Sequence, residues 1–385
     1  MAGKLRHLAL ISRHYPSPRH PYDGMFVEQL ARAIIRRGVR CTPIHPVKAH
    51  YWVQDLFSGG KRAPRTGEEN GCGSVRPVYV SASSRQVGPV NTAWFTQASF
   101  QRAALRAIRR LDAPPDAVYG HFLYCGGGAA VWIGKRIDRP SFAAVGEGTF
   151  WSVNALGWQR ARRDYRDVTG VIAVSSLVKK RLVAELYIPA DKIVVFPNGV
   201  DRTRFFPRSR REARDKYGLP QDRFLVAFVG NFLHAKGVAR VAEAIDGLDG
   251  VGGLFAGVGP LVPSGPGVLF AGRLPHEAVP EILSAADVFV LPTLAEGSCN
   301  AIVEAMACGL PVVTSDGEFN DDLVDESVSI RVDPMDVAAI RRAIVTLRDD
   351  AALRNRLAAA ALVRAEQFDI DRRAERICTW IEARM

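Results

Sequence analysis

Glu296-Gly297-Ser298-Cys299-Asn300-Ala301-Ile302-Val303-Glu304 runs directly into Ala305-Met306-Ala307-Cys308-Gly309-Leu310-Pro311-Val312-Val313. Asn300 reads as an N-cap, which predicts a short helix from Ala301 to Cys308, stopped by Gly309 and Pro311. The apolar Pro311 to Thr314 that follows reads as a buried strand. Loop, short helix and buried strand in this order form one unit of a parallel sheet covered by helices. The same stretch has a chemical reading. Free backbone N–H groups from Ser298 to Ile302 point out of the helix start, where the helix dipole favours an anion such as a diphosphate. Glu304, one turn further in, offers two acceptor oxygens to vicinal ribose hydroxyls, and Glu296 in the preceding loop can accept from hydroxyls of a second sugar. Two glutamates at this spacing are ordinarily solvated charges; the Gly-Ser-Cys-Asn turn between them and the apolar tail after them set this pair apart.

Working outward, short β-branched runs alternate with amphipathic segments along the whole chain. Strands are predicted at Leu8 to Ser12, Val39 to Ile44, Val78 to Ser81, Ala117 to Tyr119, Ser141 to Val145, Val171 to Val174 and Ile193 to Phe196 in the first half. The second half adds Leu225 to Val229, Gly253 to Ala256, Val268 to Ala271, Val288 to Leu291 and Pro311 to Thr314. Helices are predicted between them, with an amphipathic one from Phe368 to Arg384. The turn-rich Pro197-Asn198-Gly199-Val200-Asp201 divides the chain. This predicts an α/β protein of two Rossmann-like domains, residues 1–200 and 201–367, facing each other across a cleft at the carboxyl ends of their strands. The glycine-rich loop from Tyr51 to Gly73 reads as a mobile or disordered insertion.

The run EGSCNAIVEAMACGLPVV resembles the signature of the retaining glycosyltransferases of family 4, which have the GT-B fold and use nucleotide-activated sugars. The resemblance implies that Glu296 contacts the donor sugar, Glu304 the ribose, and the Gly297, Ser298, Cys299 and Asn300 turn the diphosphate. It also implies that residues 368–385 cross back to the first domain. Val229-Gly230-Asn231, followed by Lys236-Gly237, is similar to a family segment that usually carries an Arg and a Lys on the leaving diphosphate. Here Gly230 and Lys236 are in place, while Asn231 stands where the Arg is expected. In the first half, Gly24 matches the glycine of the first strand-to-helix loop, which lies against donor phosphate and acceptor. His121, ending the strand Ala117-Val118-Tyr119-Gly120-His121, matches a histidine that contacts the donor sugar. Glu147 stands where many members carry a His-Gly pair, which marks it as a candidate on the acceptor side. Ser175 and Lys179 are weaker candidates.

Composition bounds these readings. The chain has 385 residues, 48% of them hydrophobic and 24% charged, an ordinary globular balance. Six cysteines at 41, 72, 125, 299, 308 and 378 show neither CxxC pairing nor metal spacing, and read as reduced thiols of a cytoplasmic protein. The apolar stretch near the start is about five residues long, too short for a signal peptide core and better suited to a buried strand. Net charge is +11, but unevenly placed: residues 1–200 hold 29 Lys and Arg against 13 Asp and Glu, while residues 201–385 hold 22 against 27. A basic first half suits an anionic partner, either a lipid-linked or cell-envelope glycan acceptor or the inner face of the plasma membrane at its periphery. Nucleic acid is disfavoured because aromatic residues are not interleaved with the basic ones. No Walker A run and no G-x-G-x-x-G after the first strand support a P-loop ATPase or a dehydrogenase. No Asp-x-Asp metal motif appears in the cleft-forming segments, so neither a metal nor a cofactor beyond the nucleoside diphosphate sugar is expected. The expected reaction is hexosyl transfer with anomeric retention, with Glu296, Lys236 and His121 as catalytic residues. A sugar-nucleotide epimerase and a catalytically silent sugar-nucleotide-binding subunit are the alternatives.

Overall fold

A computed structural model describes residues 4–17, 19–57, 66–69, 72–82, 86–87 and 90–385. The chain forms two compact units, the first comprising residues up to Phe196 together with Asp371–Met385, the second Pro197–Ile370.

The first unit is built on a sheet of eight strands: His7–Ile11 (β1), Arg40–Ile44 (β2), Thr66–Glu69 (β3), Cys72–Val75 (β4), Ala117–His121 (β5), Ser141–Val145 (β6), Gly170–Ala173 (β7) and Ile193–Val195 (β8). Their spatial order is β8-β7-β6-β5-β1-β2-β4-β3, parallel throughout except for the β3–β4 hairpin. The four strands β1, β5, β6 and β7 are buried along their whole length, as their uninterrupted apolar sequences require in a parallel sheet covered on both faces. Covering helices include Met25–Arg36 (α1), Ala93–Ile108 (α2) and Gly128–Ile137 (α3). The chain winds from β1 outward through β2, then returns to the opposite side of β1 for β5 to β8.

The second unit repeats this plan with six parallel strands: Phe224–Val229 (β9), Val251–Ala256 (β10), Val268–Gly272 (β11), Val288–Leu291 (β12), Val312–Ser315 (β13) and Ser329–Val332 (β14). Their order is β11-β10-β9-β12-β13-β14, so winding reverses between β9 and β12, where Val226 pairs with Val288. Helices Val238–Ile245 (α4) and Asn300–Ala307 (α5) follow β9 and β12. The last helix, Ile370–Glu382 (α6), lies for nearly all its length in the first unit. There it buries Ile377 and Ile381, sets Trp380 edge-on to Phe142 and pairs Asp371 with Arg36 at 2.7 Å.

Three local expectations are corrected. Asn300 is the first residue of α5 rather than its N-cap; Cys299 occupies the cap, and the Asn300 side chain is engaged elsewhere. The segment read as a mobile loop contains the helix Ala49–Phe57 and the strands β3 and β4; its residues 58–65 and 70–71 lie outside the described residues. The expected strand from Val78 to Ser81 shrinks to a two-residue ladder, Val78–Tyr79 on Val47–Lys48. The alanine-rich helix Ala351–Ala365, whose N-terminus is capped by Asp350 accepting from Leu353 N–H at 2.8 Å, has too weak an apolar stripe to be read from sequence.

If α6 is an integral part of the first core, Ile377→Ala should remove about 2–5 kcal/mol of stability, the range for emptying a fully buried aliphatic site. An unchanged urea-unfolding midpoint would show that α6 is an appendage.

Candidate functional site

In an open parallel sheet, loops at the carboxyl ends of the two strands that flank a reversal of winding diverge and leave a crevice. In the second unit those strands are β9 and β12. The loop after β9 carries Gly230, Asn231 and Lys236; the loop after β12 carries Glu296. Backbone bonds tie the two loops together, with Leu294 N–H donating to the Ala235 carbonyl at 2.8 Å. Gly237 makes this approach possible: its φ is +80° and a Cβ there would lie 2.5 Å from the Pro292 carbonyl oxygen. The outcome is an ion pair between Lys236 Nζ and Glu296 Oε1, with side chains 25% and 16% exposed. From below, buried Thr314, Ser315 and Asn320 brace the loop. Thr314 Oγ1 donates to the Leu291 carbonyl at 2.9 Å, Ser315 Oγ to the Thr293 carbonyl, and Asn320 Nδ2 to the Ser315 carbonyl at 3.0 Å.

Beyond Glu296 the turn leads into α5. Asn198 accompanies it: its side-chain amide donates to Asn300 Oδ1 at 2.9 Å and its backbone N–H to Ser298 Oγ at 3.4 Å. Cys299 is buried, and burial followed by the neighbouring Glu296 charge pushes its thiol up to about 12, so it is a packing residue rather than a nucleophile. Glu304 points its carboxylate toward His276 Nε2 at 3.5 Å. Arg204 donates to His276 Nδ1 at 3.1 Å, which leaves the imidazole proton on Nε2, facing Glu304. The ring rests against Phe205, with centroids 5.5 Å apart. Arg204, His276 and Glu304 thus form a chain that orients one carboxylate oxygen and leaves acceptor capacity on the other.

In the first unit the reversal lies between β1 and β5. The loop after β1 reaches α1 through Gly24, whose φ is +67° and where a Cβ would lie 2.3 Å from the His14 carbonyl oxygen. The loop after β5 begins at His121. His121 is buried among the rings of Phe26, Tyr119 and Phe122, with centroids 5.8, 5.3 and 6.2 Å away. Burial, then the charges of Arg373 and His14, push its pKa down to about 3, so the imidazole is neutral at physiological pH. Its Nε2 has no hydrogen-bond partner among the described residues, a polar atom held in reserve inside an aromatic box. Glu147 is engaged with the backbone: Leu123 N–H donates to Oε1 at 2.6 Å and Gly146 N–H to Oε2 at 3.2 Å. Burial nevertheless raises its carboxyl to about 7. Its place is beneath the turn that follows His121.

Two family models match: "Glycosyltransferase Family 4" over residues 24–204 and "Glycosyl transferases group 1" over residues 223–350. The chain belongs to glycosyltransferase family 4. This family 4 glycosyltransferase is 26% identical over 345 residues to a protein assigned to teichuronic acid biosynthesis as a glycosyltransferase in Bacillus subtilis, covering 87% of each chain. It is also 26% identical to a D-inositol 3-phosphate glycosyltransferase of Acidothermus cellulolyticus, covering 97% of this chain and 89% of that protein. Among solved structures, Anabaena HepE in complex with UDP superposes with a TM-score of 0.74 at 16% identity, covering 98% of this chain and all of that one. The fold is GT-B.

Of the residues singled out in the glycosyltransferase sequence, Lys236 and Glu296 meet directly, and Ser298, Asn300 and Glu304 follow on one turn and helix. Asn231 is exposed at the rim. Two weaker candidates have local structural work: Ser175 caps the helix Ser176–Leu186 through Val178 N–H at 3.3 Å, and Lys179 Nζ donates to the Ile193 carbonyl at 2.9 Å. Sequence reasoning missed Arg204, His276 and Asn198. Each meets its partner only through the tertiary fold, and the turns at Pro197-Asn198 and Pro275-His276 were the signals on offer.

The buried neutral histidines give a pH dependence of definite sign. His45, like His121, is pushed down, to about 4, chiefly by burial. The unfolded chain protonates both near 6.5 while the folded protein refuses, so between about pH 6.5 and 4 the unfolded state binds more protons and stability falls as pH falls. Glu147 acts oppositely, since its raised pKa adds stability below about 4.5 that is lost as pH rises through 7. His121→Gln should therefore flatten the acid limb by about one proton, or about 1.4 kcal/mol per pH unit near pH 5. Unfolding midpoints from pH 4.5 to 7 test this, and an unaltered slope would mean that His121 titrates normally.

Proposed function

We propose that this glycosyltransferase moves a hexosyl unit from a nucleoside diphosphate sugar to a hydroxyl of a cell-envelope glycan or lipid-linked acceptor, with retention and without a metal ion. The observation that carries the reading is the Lys236–Glu296 pair held beside the start of α5. A diphosphate at the helix start draws Lys236 to itself, because two negative charges compete with one carboxylate. Glu296 is then released to accept hydrogen bonds from donor-sugar hydroxyls. Glu304, oriented by His276, accepts from the ribose. As the bond from C1 to the diphosphate oxygen breaks, Lys236 and the first-turn amides stabilise the charge that develops on the leaving group. The acceptor oxygen bonds to C1 on the same face, and its proton leaves on the departing diphosphate. His121, neutral and with Nε2 unpaired, supplies a hydrogen bond to the donor sugar without adding charge.

Several observations support the finer points. The Anabaena neighbour carries UDP, which makes UDP-sugars the first donors to try. The teichuronic acid relative favours an envelope acceptor. No helix among the described residues is long and apolar enough to cross a membrane. Exposed Trp94 and Phe95 at the start of α2, with exposed Arg102, Arg106 and Arg109 along it, suit peripheral contact with an anionic bilayer.

Glu296→Ala should lower turnover by at least a hundredfold with a small change in donor affinity, whereas Lys236→Ala should weaken donor binding and rate together. Product stereochemistry read by NMR should show the donor's anomeric configuration, and chelator should leave the rate unchanged. A fully active Glu296→Ala enzyme would overturn the assignment. His276→Phe tests the ribose contact: nucleotide affinity measured by calorimetry should fall several-fold, and undiminished affinity would remove Glu304 from the binding site.

A further inference from the structure

Apart from the crevice at His121, the first unit holds a cavity of about 230 Å3 at the carboxyl ends of β1, β2 and β4. At about 30 Å3 per water it has room for roughly seven waters, small for a nucleotide and sufficient for a phosphate or diphosphate with the first atoms attached to it. Among the described residues, its wall contains four permanent cations, Arg13, Arg19, Lys48 and Arg76, and one carboxylate, Asp23. Asp23 is already engaged by His14 Nδ1 at 2.9 Å. Arg76 is 2% exposed, a guanidinium carried into the protein interior, while Arg13 and Lys48 are half-buried at positions an entering ligand can reach. Tyr51 holds two of the cations on its ring, Arg19 at 4.5 Å and Lys48 at 5.5 Å from the centroid.

The histidine in this wall reports the same field. His45 is buried, and its Nδ1 meets the Ser12 carbonyl at 3.2 Å, which places the imidazole proton on Nδ1 and a lone pair on Nε2. Its pKa is pushed down by burial and further by the Arg76 charge, so it adds no further positive charge at neutral pH. A cavity with low-dielectric walls into which Arg13 and Lys48 bring positive charge, beside the engaged carboxylate of Asp23, focuses potential on its interior and favours anions over neutral sugars. Guanidinium forks add the planar, two-point recognition of phosphate oxygens that a lysine alone lacks.

We propose that this cavity binds a phosphate group, monoester or diphosphate, of the glycosyl acceptor. The inference rests on the transfer reaction proposed above and specifies its acceptor: the chain glycosylates a molecule that is already phosphorylated. The site lies wholly in the first unit, whereas Lys236, Glu296 and Glu304 lie in the second. The two anion sites are therefore separable by substitution.

The test is calorimetric titration of the full-length protein with inorganic diphosphate, glucose 1-phosphate and farnesyl diphosphate. Lys236→Ala serves as the variant impaired at the nucleotide site, and Arg13→Gln with Lys48→Met as the variant of the cavity. Both cavity positions are half-buried, so the double variant is expected to fold, and circular dichroism checks it. Binding should persist in Lys236→Ala and weaken at least tenfold in the double variant, with a matching rise in KM for a phosphorylated acceptor. Stronger binding of farnesyl diphosphate would assign a lipid carrier, and preference for glucose 1-phosphate a soluble phosphorylated sugar. Binding lost in Lys236→Ala and kept in the double variant, or no binding by the wild type at millimolar ligand, would overturn the proposal. A protein without transferase activity that still binds diphosphate through Arg13 and Lys48 would sink the transfer reading and leave the anion site standing. Active transfer to a phosphate-free acceptor, with diphosphate binding indifferent to Arg13 and Lys48, would do the reverse.

Discussion

Each sheet reverses its winding once, and Gly24, His121, Lys236 and Glu296 of this glycosyltransferase owe their positions to those reversals. A parallel strand buried on both faces has no room for polar side chains along its length, so chemistry is pushed to the strand ends. At most ends the next helix turns back at once and closes over the sheet. Only between β9 and β12, and between β1 and β5, do successive connections leave in opposite directions and keep two loops side by side. Lys236 and Glu296, sixty residues apart in sequence, become neighbours through that geometry. His121 becomes the neighbour of the Gly24 loop for the same reason.

What the reversals bring together is poised rather than stabilised. With side chains 25% and 16% exposed, the Lys236–Glu296 pair keeps enough contact with solvent for an entering anion to exchange one partner. The fold holds the pair in place with a glycine at positive φ, a backbone bond from Leu294 to Ala235, and the buried hydroxyl and amide groups of Thr314, Ser315 and Asn320. Rigid support beneath an exchangeable contact is the arrangement expected where a ligand must replace one partner. Glu304 differs in having a chain of groups behind it. With Arg204 fixing the histidine tautomer, the His276 N–H faces the carboxylate without requiring a charged imidazole.

The sheets were legible because burial on both faces leaves short uninterrupted apolar runs, and β6 and β12 fall at the residues that pattern predicts. The motif around α5 was legible because its parts are consecutive in sequence, so spacing alone places Glu296 before the helix and Glu304 within it. Neither condition holds for what was missed. His276 reaches Glu304 from the loop after β11, and Arg204 from a segment with no period at all; their meeting is purely tertiary. Asn300 shows the limit of local rules from the other side. A good N-cap residue stood at the right place, but its amide side chain bonds to Asn198, and the helix begins one residue earlier on an uncapped cysteine. Glu147 likewise stands where the family pattern suggests an acceptor contact, and its carboxylate is taken up by the amides of Leu123 and Gly146.

The first unit combines an excess of positive charge with two buried histidines, His45 and His121, that carry none. Those two features have one cause. Arg76 beside His45 and Arg373 beside His121 are guanidiniums that cannot give up their charge, so burial and electrostatic repulsion both fall on the imidazoles. The result is a division of labour at the ends of the strands: fixed cations to hold anions, and neutral rings with a free nitrogen to meet hydroxyl groups. A sugar presents hydroxyls and a phosphorylated sugar presents both, which is the chemistry that such a wall of mixed groups is suited to recognise. A lysine in place of either arginine would lose this arrangement, because a buried ammonium can shed its proton and leave the histidine free to take it.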